Sequence, residues 1–171
     1  MLARLHRFIT AVMILALAPL AFAAATSAAN QKMVAHGRHL VMITGCNDCH
    51  TPGYGNEAGQ VPERLWLTGE RIGWLGPWGT TYAVNLRLLA ASLDEKQWIE
   101  QLRTTKARPP MPWYVFASMS NYDLASIYRY LRALGPAGGP APAWLPPGKK
   151  PSPPYFEFGP PAAPPPAAGT H

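Results

Sequence analysis

The two cysteines of the chain fall within five residues of each other, in Cys46-Asn47-Asp48-Cys49-His50. Thiols three positions apart sit about one helical turn apart on the same side of a helix, and the adjacent imidazole follows them round. Cys-x-x-Cys-His is the attachment pattern for a c-type haem. One turn spaces the two sulfurs for the two vinyl groups of a porphyrin, and the imidazole then faces the iron. The motif therefore predicts one covalent haem c, with Cys46 and Cys49 as thioether anchors and His50 as an axial metal ligand. Two rival chemistries need more than these five residues. A dithiol redox couple belongs in a βαβ setting, and no strand alternation is evident. A structural zinc needs a fourth ligand, which only His36 or His39 could offer from the segment just before.

A second axial ligand decides what such an iron can do, and a methionine there raises the reduction potential. Of six methionines, Met1 and Met13 lie in a leader-like segment, Met33 and Met42 read as core on the first helix, and Met119 sits where it can staple the last helix. Met111 remains. It stands in Arg108-Pro109-Pro110-Met111-Pro112, where three prolines stiffen the loop and each residue before a proline is biased to extended backbone. Iron closed by His50 and Met111 leaves no open position, which predicts an electron carrier and no enzyme. A vacant or labile sixth position would make a haem enzyme or gas sensor instead; no acid–base pair is evident to serve one. Trp78 and Tyr82, with Trp74, Trp113 and Tyr114, are polar-tipped aromatics able to wall a porphyrin and donate to its propionates. Arg71 and Arg87 read as solvated surface side chains rather than propionate partners.

The elements that must carry these residues are legible as helices. Asn30 to Thr44 has helical spacing through Met33, Val34, Leu40 and Val41, and Gly37 on that stretch suits close approach of another element. From Thr51 to Ala90 the periodicity fails and Gly, Pro, Trp and Asn accumulate, which predicts irregular loops wrapped around something. Ser92-Leu93-Asp94-Glu95 reads as a capping box opening a short helix, roughly 93–104. Ser120 caps a longer one, with Met119 and Leu124 as a hydrophobic staple, Asp123 at its N-terminal dipole, and Gly135-Pro136 as the stop. The pattern is all-α. Three short helices with some 40 residues of loop bury too little surface alone, and a large apolar cofactor supplies the missing core.

At 171 residues, 48% hydrophobic and 14% charged, the chain suits one modest domain. The formal charge of +6 comes without any run of five or six like charges, which argues against nucleic-acid binding. Arg4 and Arg7 precede the uncharged run from Ala11 to Ala18 and the small residues near Ala23, the pattern of a secretory signal peptide over 1–23. Cleavage would lower the charge to +4 and deliver a periplasmic protein; without cleavage the segment would anchor it in the membrane, facing the periplasm. A cytochrome-sized domain follows over 24–135. Thirteen of the 20 prolines lie after Leu134, so 136–171 is expected to form an extended, proline-rich tail. Its Trp144, Tyr155, Phe156 and Phe158 are expected to dock on the chain's own surface or in a partner's groove, with a disordered stalk as the alternative.

Gly37, the stretch Cys46 to Gly53, Gly76-Pro77-Trp78-Gly79-Thr80-Thr81-Tyr82, Asn85-Leu86 and Met111-Pro112-Trp113 together resemble bacterial class I cytochromes c. They look most like those related to the cytochrome subunits of periplasmic dehydrogenases. The resemblance runs from about Gly37 to Leu134. Several such subunits carry three haem motifs where this chain carries one. The resemblance implies the class I cytochrome c fold, with three to five short helices and long loops around one haem. It also implies a crossing of the first and last helices near Ile127, Tyr130 and Leu131, and Met111 delivered by a Met-Pro loop. Redox proteins are the implied partners, a dehydrogenase or quinol-oxidising donor and a cytochrome or oxidase acceptor, met through small transient interfaces.

Overall fold

The computed structural model describes residues 26–159. The expected signal segment over 1–23 and the last residues of the tail lie outside them. A helix over 26–43 (α1) leads through a turn into α2 (Cys46–His50). A stretch of turns and one 3-10 turn (Glu63–Leu65) follows, then β1 (Gly73–Gly76), β2 (Gly79–Thr81) and α3 (Leu86–Ser92). The chain continues through α4 (Glu95–Thr104), α5 (Trp113–Ser118), α6 (Asn121–Leu134) and finally β3 (Tyr155–Glu157). Among the described residues no helix is long and apolar enough to cross a membrane.

The helix ends follow local chemistry. Ser120 accepts from the Asp123 N–H while the Asp123 carboxylate accepts from the Ser120 N–H, closing a reciprocal box at the start of α6. For α4 the cap is Asp94 with Gln97, two residues later than the expected Ser92; Ser92 instead ends α3, its hydroxyl donating to the Leu89 carbonyl. α6 is the central element, burying Leu124 through Tyr128, Tyr130 and Leu131 against α3 and α4. Val41, Trp66, Leu67, Ala90 and Trp98 complete the same core. Two aromatic polar tips in this core are matched: Trp98 Nε1 donates to the Leu124 carbonyl at 3.0 Å, and the Tyr128 hydroxyl to the Leu93 carbonyl at 2.8 Å.

α1 crosses α6 at Gly37. A Cβ there would lie 2.0 Å from the Ser126 carbonyl oxygen and 2.9 Å from the Ile127 nitrogen, so only hydrogen fits between the two backbones. His36 Nε2 and Asp123 Oδ1, 2.7 Å apart, tie the same two helices one residue away.

Three expectations need correction. Among the described residues six helical segments occur rather than three to five, because α2 and α5 are too short to show a period. The all-α pattern is joined by a small sheet of order β2-β1-β3, in which β1 pairs antiparallel with β2 and parallel with β3. Met42 is not core: it is 45% exposed, and its sulfur accepts from Arg38.

The tail is extended only in part. Through residue 159 it folds back on the domain. Leu145 and Thr80 exchange both backbone hydrogen bonds, at 2.8 and 3.1 Å, and β3 adds a strand to β1. Gly79 permits this approach, since a Cβ there would lie 2.1 Å from the Leu145 oxygen.

Candidate functional site

α2 carries the whole Cys-x-x-Cys-His motif on one turn, and its end opens onto a cavity of about 280 Å³. Cys49 and His50 form one part of the wall. Ala107, Arg108, Pro110 and Met111 form another, brought there by the proline loop between α4 and α5. Trp74 and the run Thr81 to Val84 come from β1 and the chain following it, and Pro142 and Trp144 from the C-terminal segment. Residues expected to act on one metal from opposite ends of the domain thus meet around one space.

His50 is buried at 5% exposure, and its Nδ1 lies 2.7 Å from the Val84 carbonyl oxygen. A carbonyl only accepts, so Nδ1 carries the proton and Nε2 keeps its lone pair, the arrangement that orients a metal-ligating histidine. Burial lowers the His50 pKa, and the Val84 carbonyl opposes this more weakly, so the neutral, ligating form is favoured. Burial likewise pushes both thiols up. For Cys46 the Thr44 hydroxyl, 3.3 Å from its sulfur, offsets part of that; for Cys49 the Asp48 carboxylate adds to it. Neutral thiols are poor partners for disulfide exchange, which depends on the thiolate.

Below the motif, Thr51 locks its end. Its hydroxyl donates to Asn47 Oδ1 at 2.7 Å and accepts from the Leu67 N–H at 2.8 Å, all in the buried interior. The Gly69 N–H donates to the His50 carbonyl at 2.8 Å. The turn that presents the imidazole is therefore fastened on both sides by the loop over 66–69.

The softer site expectations divide. Tyr82 and Trp74 line the cavity; Trp78, Trp113 and Tyr114 are not among the lining residues. Trp78 rests against Phe158 with ring centroids 5.9 Å apart, and its indole nitrogen is buried without a partner. Arg87 corrects the expectation of a solvated side chain. It is 5% exposed, and its guanidinium donates to the carbonyls of Gly135 (2.5 Å), Leu134 (2.5 Å) and Arg64 (2.7 Å). The carbonyls ending α6 lack helical partners, and a rigid fork of donors meets them. Arg71 is exposed, as expected. His36 is engaged by Asp123 and His39 is exposed, so neither completes a zinc set with the two thiols. Among the described residues no group of three or more His, Cys, Asp or Glu side chains could hold a metal ion.

Sequence reasoning missed the Val84 carbonyl, which as a backbone group has no sequence signal, and the Thr81 hydroxyl. The Thr81 hydroxyl is buried on the cavity wall without any protein partner. An unpaired donor at such a place suits an acceptor group on whatever fills the space. Comparison with protein-family models, with curated proteins and with solved structures finds no match.

Proposed function

We propose that the chain is a periplasmic electron carrier of the class I cytochrome c type, with one covalent haem c anchored by Cys46 and Cys49 and ligated by His50 and Met111. The observation that carries this reading is that Met111 lines one cavity with Cys49 and His50 although it lies far from them in sequence. The cavity also fits the group by chemistry. A helical turn presents the Cys49 thiol, with Cys46 one turn back packed against the core, a buried imidazole keeps Nε2 free, Met111 lines the same space, and the Thr81 hydroxyl lacks an acceptor. Bound there, haem supplies one-electron cycling between ferric and ferrous iron.

The chain's own residues do the rest. The Val84 carbonyl holds the His50 ring in one tautomer and one orientation. The proline loop presents the Met111 sulfur at small entropic cost. Trp74, Ala83, Pro142 and Trp144 keep water from the buried part of the space. Electrons enter and leave by contact with redox proteins, a dehydrogenase or quinol-oxidising complex on one side and a cytochrome or oxidase on the other.

Acid–acetone extraction with intact-mass measurement tests the cofactor. Colour should stay on the polypeptide, and the mass should exceed that of the bare chain by one haem. Complete extraction of the colour refutes the reading. Replacing Cys46 and Cys49 with Ala should abolish stable holoprotein. An absorption spectrum of the ferrous protein with and without carbon monoxide tests the ligation: a spectrum that shifts rapidly and fully would favour the haem enzyme or gas sensor.

A further inference from the structure

The C-terminal segment touches both sides of the cavity. On the His50 side, Asn85 follows the residue whose carbonyl holds His50, and its Nδ2 donates to the carbonyls of Ala137 (2.8 Å) and Gly139 (3.1 Å). On the Met111 side, the Arg108 guanidinium stacks 4.2 Å from the centre of the Trp144 ring. Arg108 and Met111 are joined by a tight turn, the Met111 N–H donating to the Arg108 carbonyl at 3.2 Å. Trp144 in turn donates from Nε1 to the Trp78 carbonyl at 3.1 Å, beside the paired Leu145 and Thr80. Beyond it, β3 anchors the far end on β1.

We infer that residues 137–157 form a strap across the cavity and that Trp144 is a positioning residue, holding the Met111 loop in place through Arg108. The loop between α4 and α5 has no strand or helix of its own over 105–112. Proline stiffness sets its shape, but only contacts set where it sits. Met111 is half-buried and Pro109 and Pro110 are exposed, so little apolar burial fixes the loop. A cation stacked on an indole that is itself hydrogen-bonded to the turn between β1 and β2 supplies the missing attachment. Lys106, over the Trp113 ring at 5.9 Å, ties the loop on its other flank to α5 but reaches no part of the cavity wall.

The mechanical claim stands without a cofactor; its consequence for ligation rests on the haem reading. Hydrogen exchange read by mass spectrometry on the full-length protein tests the first. In Trp144→Ala the amides within 107–113, chiefly the hydrogen-bonded ones of Met111 and Trp113, should exchange about two- to fivefold faster, the size expected for losing one exposed stacked cation. Trp144→Phe keeps a ring under Arg108 and should recover most of the protection. Arg108→Gln removes the cation from the other side and should loosen the same amides, which keeps the test open if Trp144→Ala does not fold. Unchanged exchange over 107–113, even with β3 released, overturns the inference, and so does Trp144→Phe behaving as Trp144→Ala. In the haem-loaded protein, carbon monoxide should bind ferrous Trp144→Ala severalfold faster than the parent. If the parent holds no covalent haem, the function proposed above fails and the exchange result still decides the strap. If it holds haem and Trp144→Ala changes neither exchange nor carbon monoxide binding, the strap alone fails.

Discussion

Replacing Gly37 with Ala sets two effects of opposite sign against each other. In an isolated helix alanine is favoured over glycine by about 1 kcal/mol, so the change should stabilise α1. At the crossing with α6 the added methyl would lie 2.0 Å from the Ser126 oxygen and 2.4 Å from its carbonyl carbon. Relief to ordinary contact requires the helices to part by more than about 1 Å, because neither obstacle is a side chain that can rotate away. Overpacking costs about 1–3 kcal/mol where side chains can adjust, and a backbone obstacle lies at or above the top of that range. Separation would also loosen Val41 and Ile127, buried in the same core, and stretch the contact between His36 and Asp123. The net expectation is a loss of about 2 kcal/mol, or a melting temperature about 6–10 °C lower for a domain of this size. Thermal and urea unfolding of purified Gly37→Ala against the parent measures it. A variant as stable as the parent, or more so, would refute the account of the crossing.

Arg87→Met should cost about 3 kcal/mol in urea unfolding, because three carbonyls lose a charged donor in the interior; Arg87→Lys should recover only part, having no fork to span them. The Asp123 carboxyl is held below the usual carboxylate range, chiefly by His36 and next by the Ser120 hydroxyl. Its contribution is therefore complete above the unfolded value of about 4 and fades as pH falls through the lower folded one. Asp123→Asn should flatten that acid limb of the stability–pH curve. A slope from Glu63, similarly depressed by Arg38, should persist. Met111→Ala should abolish the weak near-infrared sulfur-to-iron band of the ferric protein and lower its potential, whereas Met119→Leu, at a position packed against the core, should leave both unchanged.

What could be read in advance was local or sharply patterned. Ser120 with Asp123, the stop at Gly135 and the motif on its single turn all depend on residues within one or two turns of each other. Gly37 was legible because a glycine inside a helical stripe has few uses. The sheet was not legible: its strands are three or four residues long, and β1 and β3 stand some 80 residues apart and pair in parallel. Nothing in Tyr155-Phe156-Glu157 names Gly73 to Leu75 as its neighbour. Arg87 was misjudged because a charged residue is usually outside, and the carbonyls that draw it in exist only once α6 has ended where it does. The aromatic content of the tail pointed to docking, and Trp144 lies on the cavity wall itself.

The position of the strap in the chain also orders events during synthesis. Cys46 to His50 leave the ribosome early, Met111 later, and Trp144 and β3 last. Until those final residues arrive, the mouth of the cavity has no Pro142 or Trp144 across it, and the Met111 loop has no stacked ring to hold it. A chain carried across a membrane N-terminus first emerges in the same order, so a bulky guest of the cavity would meet the motif before the strap lies across it. Closing the strap brings together residues far apart in sequence, among the slower steps of folding. The delay would widen the interval in which the cavity is uncovered.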